Sequence, residues 1–171
     1  MRVLGIDPGS RVTGFAVVEA RGAALHPIGF GVIRPAAGEM AGRLAEIFAG
    51  VARVVAELRP EALAIESVFL ARNAQSALKL GQARGAAICA AAQAGLPVFE
   101  YAPRAVKLAV VGSGRAHKAQ VQHMMRQILR IDEPLAADAA DALAVAVCHS
   151  HTQQTQGYAS RRLTRVQEAA R

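Results

Sequence analysis

The chain opens on Val3-Leu4-Gly5-Ile6-Asp7-Pro8-Gly9-Ser10, an apolar run that ends in an acid and then turns at once. Pro8 presets φ for the second position of a tight turn, and Gly9 supplies a positive φ where the third position requires one. Asp7 is therefore expected at the last residue of a buried strand, with its backbone held by the turn behind it. On its own, Asp-Pro-Gly does no more than start a turn. It gains a second meaning only if other acids arrive at the same place.

Working outward, Thr13-Gly14-Phe15-Ala16-Val17-Val18 reads as a second strand, close enough to pair with the first as a hairpin. A third spans Ala24 to Ile33, where Gly29 and Gly31 suggest a bulge or a close approach by another backbone. From Glu39 the period changes to three- and four-residue steps through Met40, Leu44, Ile47, Val51, Val54 and Leu58, the stripe of an amphipathic helix. Arg59-Pro60 stops it. Ala62-Leu63-Ala64-Ile65-Glu66 is short, nearly all apolar and flanked by turn signals, as a buried central strand should be. It too ends in a carboxylate.

A long Ala/Gly-rich helix is expected from Ala74 to about Ala94. Gly81 and Gly85, one turn apart, give it a smooth face for close helix approach, within the chain or across a dimer. Pro97 to Tyr101 is a fifth strand, Pro103 to Val111 a short helix, and Val121, Met124, Met125, Ile128 and Leu129 mark another. The last strong helix is expected over Ala137 to Ser150. The order β-β-β-α-β-α-β and then helices predicts an α/β fold, a mixed five-stranded sheet with helices on both faces. Residues 1–150 form that domain, and residues 151–171 read as a mobile basic C-terminal tail.

Composition agrees with this class. The chain has 171 residues, enough for one domain with a sizeable core, and 53% of them are apolar against only 4% aromatic, which favours alanine-rich helices on a sheet over an all-β sandwich. A net charge of +7 points to an acidic partner, and nucleic acid is the natural one. Cys89 and Cys148 each sit alone in Ala/Val-rich segments and read as small core residues, with no disulfide or metal spacing. The short apolar N-terminus is interrupted by Asp7 and no stretch reaches the length of a membrane span, so a cytoplasmic location is expected.

Asp138 and Asp141 are three apart, so on a helix they share a side, and acids near a helix start also favour its dipole. Their neighbours Ala136, Ala137, Ala139, Ala140, Ala142 and Leu143 suggest a face that looks inward. Asp7 and Glu66 end two strands, and parallel neighbouring strands deliver their C-terminal residues to one rim. Four carboxylates gathered there would repel by about 4 kcal/mol per close pair at an effective dielectric near ~20. Divalent cations relieve that repulsion with the acids still ionised, and all-oxygen ligands favour Mg²⁺ or Mn²⁺ over zinc. Two such ions are the machinery for attack of water on a phosphodiester.

Six blocks, GIDPGSRVTGFAVV, AIESVF, NAQSALKLGQARGAAI, VFEYAPRAVK, KAQVQHM and ADAADALAVA, together resemble the RuvC family of bacterial Holliday-junction resolvases, nucleases of ribonuclease H-like fold. The resemblance runs from Gly5 to about His149. It implies a Mg²⁺-dependent homodimer, with Mn²⁺ as a substitute, that nicks two opposed strands of a four-way junction symmetrically and leaves 5′-phosphate and 3′-hydroxyl ends. It also implies cooperation with the RuvA–RuvB branch-migration complex and a short preferred cleavage sequence. Asp7, Glu66, Asp138 and Asp141 fall on the family's catalytic, metal-binding acids, although some members carry His where Asp138 stands. Phe69, by itself either a core residue or a stacking platform, is implied to stack on or wedge between bases at the junction centre. Lys107 and Lys118 align with family lysines near the scissile phosphate. Arg72, Lys79, Arg84, Arg104 and Arg115 are expected as DNA backbone contacts or as plain solvated charges. His117 replaces an acid seen in some relatives and receives no role. Three alternatives stay open: an ATP-binding protein of the actin and sugar-kinase type, another ribonuclease H-like nuclease, and a junction binder without catalysis.

Overall fold

The computed structural model describes residues 1–67 and 73–169, the last of these from residue 156 on by backbone alone. The elements run β1 (Arg2–Asp7), β2 (Thr13–Arg21), β3 (Ala24–Ile33), α1 (Met40–Leu58), β4 (Ala62–Glu66), α2 (Ala74–Gln93), β5 (Val98–Tyr101), α3 (Pro103–Val111), α4 (Lys118–Leu129) and α5 (Ala137–Ala169). The sheet has the order β3-β2-β1-β4-β5. The first three strands form an antiparallel meander, with a bulge between Val17 and Val18 opposite the Gly29 segment. β4 and β5 join it parallel to β1. This is the mixed five-stranded sheet expected from the sequence.

Strand parity divides the core in two. Side chains alternate across a strand, so neighbours in sequence face opposite layers. Leu4, Ile6, Val17, Leu63 and Ile65 pack with Ile47 and Val51 of α1 and with Ala83, Ala87 and Ala91 of α2. Val3, Ala16, Val18 and Ala64 pack on the other side against Val106 and Val110 of α3, Val121 and Met125 of α4, and Leu143 and Val147 of α5. Helices therefore cover both faces. Leu4, Ile6, Leu63 and Ile65 are fully buried, and each such side chain contributes about 1.5–3 kcal/mol relative to exposure.

The helix ends have local causes. Arg59 closes α1 in the left-handed region at φ 48°, its N–H bonded to the Val55 carbonyl, before Pro60 breaks the chain. Asn73 caps α2 by accepting the Gln75 N–H at 2.8 Å. Pro103 occupies the first turn of α3, and Gly112 ends it at φ 76°.

α5 is longer than expected. The boundary placed at residue 150 falls inside it, because the backbone stays helical to Ala169. Two threonines of the stretch read as a tail bond back along the helix instead: Thr152 Oγ1 donates to the Cys148 carbonyl, and Thr155 Oγ1 to that of His151. A second correction concerns the cysteines. Cys148 is buried, but Cys89 is exposed on α2, since the buried stripe of that helix follows Ala83, Ala87, Ala90 and Ala91. None of the described helices is long and apolar enough to cross a membrane.

Candidate active site

Parity also places the first two acids. Asp7 lies two residues beyond Gly5 and Glu66 two beyond Ala64, so both carboxylates leave the sheet on the α5 side. The β1–β4 ladder pairs Ile6 with Ile65, which brings Asp7 and Glu66 side by side at the C-terminal rim. The turn behind Asp7 is held by a residue the sequence did not single out. Thr13 is fully buried, and its Oγ1 donates to the Gly9 carbonyl at 2.8 Å while accepting the Gly9 N–H at 3.3 Å. Gly9 itself is not among the positive-φ glycines. Its missing side chain makes room for the Val12 carbonyl, which a β-carbon would overlap. An Asp-x-Gly-x-x-x-Thr spacing is the signal that could have found this.

α5 brings the third acid. A β-carbon on Gly5 would overlap the Ala142 carbonyl, and one on Gly14 the Asp138 carbonyl. Gly14 is the residue paired with Asp7 across β1 and β2. Two strand glycines therefore let the first turns of α5 lie directly on the sheet beside Asp7.

Asp7, Glu66 and Asp141 line one cavity of about 180 Å³, together with Lys107, Lys118 and an apolar wall that includes Pro103, Val106 and Val121. Lys118 Nζ donates to Asp141 Oδ2 at 2.9 Å. A larger open groove between β3 and the segment from Arg130 to Ala139 holds Asp132 and Glu133 but gathers no such set of groups from separate elements. Asp138 does not line the acid cavity. Its charge acts on Asp7 from farther off, as the weakest of the neighbours that perturb it.

Burial pushes the Asp7 carboxyl up to about 7, helped by the charges of Asp141 and Glu66 and opposed by Lys118. Glu66 is raised for the same first reason, burial, and then by Asp141, with Lys118 and Lys107 pulling it back. Lys118 is raised by its hydrogen bond and charge contact with Asp141. The acids thus crowd a partly buried corner, with Lys118 acting on all three and Lys107 on Glu66.

This donor set fits a hard divalent cation: carboxylate oxygens only, mutually repelling, with cationic charge already drawn to them. Among the described residues no three acid, His or Cys side chains stand close enough together to grip one ion in this conformation. Lys118 would have to release Asp141 first. Ionisation of Asp7 must accompany binding, so affinity should rise with pH up to about 7. We expect Mn²⁺ affinity, followed by titration calorimetry, to fall about tenfold per unit below that point, with a proton released on binding. An affinity constant between pH 5.5 and 8 would contradict this.

Of the other expected contacts, Phe69 and Arg72 lie outside the described residues. Arg115 is exposed on the α3–α4 link and away from the cavity. His117 begins α4, where its N–H donates to Gln120 Oε1 at 2.8 Å, a helix-capping position. Arg84 is not a solvated charge: its side chain is only 18% exposed and turns inward.

A mixed sheet in the order 3-2-1-4-5 with acids from β1, β4 and a crossing helix defines the ribonuclease H-like class of carboxylate-bearing folds. The family model for crossover junction endodeoxyribonuclease RuvC matches residues 3–149, and the chain belongs to that family. It is 56% identical to the crossover junction endodeoxyribonuclease RuvC of Photobacterium profundum over 90% of this chain and 88% of that one. The counterpart from Vibrio parahaemolyticus is 54% identical over the same shares. Among solved structures, Thermus thermophilus RuvC in complex with a Holliday junction substrate superposes with a TM-score of 0.85 at 38% identity, covering 91% of this chain and 96% of that one. The yeast mitochondrial Holliday junction resolvase Ydc2, 14% identical with a TM-score of 0.63, shares the fold.

Proposed function

We propose that this protein is a structure-selective endonuclease that resolves four-way DNA junctions by phosphodiester hydrolysis in recombination and repair. The observation that carries the reading is the single cavity in which three acids from β1, β4 and α5 face two lysines from α3 and α4. Its relatives carry the same activity in their names.

Asp7, Glu66 and Asp141 would hold divalent cations, with Mg²⁺ the physiological choice, Mn²⁺ a substitute and Asp138 an outer acid. When bound, such cations supply Lewis acidity toward the phosphodiester and its attacking water. The chain's own residues do the rest. Asp7 gives up its proton and, as the most central acid, fixes the site's position on the sheet. Lys118 leaves Asp141 and, with Lys107, meets the phosphate oxygens as charge builds on them. Pro103, Val106 and Val121 form the apolar wall beside the partly buried acids, while the Lys118 side chain, 78% exposed, stays open to solvent. The products are a 5′-phosphate and a 3′-hydroxyl.

Paired nicks need two such cavities, and we read the functional unit as a homodimer. The smooth face of α2 supports this, since among the described residues nothing lies within 4 Å of a β-carbon placed at Gly81 or Gly85, and Leu78 beside them is 68% exposed. Phe69, Arg72 and Arg115 are assigned to the junction, and the RuvA–RuvB complex to the partners, with cytoplasmic DNA as the setting.

The test is a synthetic four-way junction against a linear duplex of equal length, each with Mg²⁺. We expect rapid nicking of the junction, little of the duplex, and junction binding that weakens steeply with salt. Equal rates on the two substrates would sink the junction reading.

A further inference from the structure

Arg84 stands on the inner side of α2 and makes two contacts at the rim of the sheet. Its Nε donates to the backbone carbonyl of Glu66 at 3.2 Å, and its terminal nitrogen lies 2.6 Å from Glu100 Oε2 of β5, an ion pair rather than an aligned hydrogen bond. The ladder explains why the first contact is needed. β1 pairs with β4 only as far as Ile6 and Ile65, so Glu66 lies one residue beyond the last pair on that side. On the other side the Ser67 N–H still reaches the Tyr101 carbonyl at 2.9 Å. A half-buried carbonyl at the end of a ladder costs free energy unless a donor reaches it. Arg84 supplies that donor, and the planar guanidinium serves two acceptors at once, which an ammonium does poorly.

We infer that Arg84 is a positioning residue: it pins the Glu66 peptide to α2 and β5, and so fixes where the Glu66 carboxylate enters the acid cavity. This rests on the metal-site reading proposed above. It also reassigns a residue whose place in the sequence suggested a DNA contact. The side chain is spent on the protein's own carbonyl and carboxylate, on the side of the sheet away from α5.

The two roles predict opposite results. Full-length Arg84→Ala, Arg84→Lys and Glu100→Gln are compared with the parent for Mn²⁺ affinity without DNA, and for junction binding in EDTA across a salt series. A positioning role lowers Mn²⁺ affinity about tenfold in Arg84→Ala, as loss of groups that orient a ligand does. Arg84→Lys recovers part of this, and Glu100→Gln loses less, about threefold, because the Glu66 contact survives. Junction affinity and its salt slope stay as in the parent. A phosphate contact would instead weaken junction binding and lower the slope by about one, with Mn²⁺ affinity unchanged. That result overturns the inference. Arg84→Lys and Glu100→Gln keep the test open if Arg84→Ala fails to fold. Asp7→Asn in the same Mn²⁺ titration separates the two readings. If it alone loses affinity, Arg84 has no positioning role; if no variant loses any, the metal site itself is wrong.

Discussion

Replacing Asp7 with Asn should abolish junction cleavage, by three or more orders of magnitude, while leaving junction affinity equal or stronger. The size follows from removing the most central of three acids that would hold the cations, which contribute several kcal/mol to the transition state, and each ~1.4 kcal/mol is tenfold in rate. Affinity should hold because Asn deletes a charge that faces phosphates and keeps the side chain's shape. The same substitution should stabilise the metal-free protein. Asp7 is raised from 3.8 to about 7, so the folded chain holds a proton across that interval which the unfolded chain gives up. The stability linked to this group is present in full below about pH 4 and is lost as pH rises through 7. Asn is indifferent to pH, so above neutrality Asp7→Asn should melt higher by on the order of 5 °C for a chain of this length. A lower melting temperature, or loss of junction binding, would mark Asp7 as a structural residue.

The second large effect belongs to a residue with no side chain. Gly14→Ala should cut cleavage by about a hundredfold with the fold retained. The new β-carbon would overlap the Asp138 carbonyl, which is helix backbone and has no rotamer by which to escape. α5 must lift, at a cost of about 1–3 kcal/mol of overpacking. Asp141 rides on the same turn and would move away from Asp7 and Glu66. A displacement of ~1 Å at a reacting centre costs about a hundredfold. Single-turnover cleavage together with a thermal melt distinguishes this from simple unfolding. Full activity with an alanine at position 14 would refute the close-packed account of the site.

The strands and their acids were legible because both signals are local. Leu4-Gly5-Ile6-Asp7 and Ala64-Ile65-Glu66 are apolar runs closed by a carboxylate, and Asp138/Asp141 declare a shared helix face through their spacing. The purpose of Gly5 and Gly14 was not legible, because the atoms that exclude a β-carbon there belong to α5, more than 120 residues later. Arg84 misled for a related reason: a basic residue in a basic protein looks like a phosphate contact until its acceptor, a backbone carbonyl, is seen. The length of α5 was missed because Thr152 and Thr155 favour loops by propensity, whereas on this helix their hydroxyls bond to carbonyls one turn back.

The alternation along β1 has a consequence for how this protein tolerates changes in chain length. Leu4 and Ile6 face α1 and α2, while Val3, Gly5 and Asp7 face α5. Inserting or deleting one residue between Leu4 and Asp7 would turn the acid over relative to the residues before it, sending its carboxylate beneath α1 while Leu4 keeps its place. Two residues would restore the facing but slide the acid along the rim past Glu66. The turn at Gly22 has no such arithmetic: its carbonyl accepts a hydrogen bond from Gln154 Nε2 of α5 at 3.0 Å, and additions there would cost that contact without turning any strand residue over. Indels among working relatives should therefore gather at that turn and leave the first strand's count untouched.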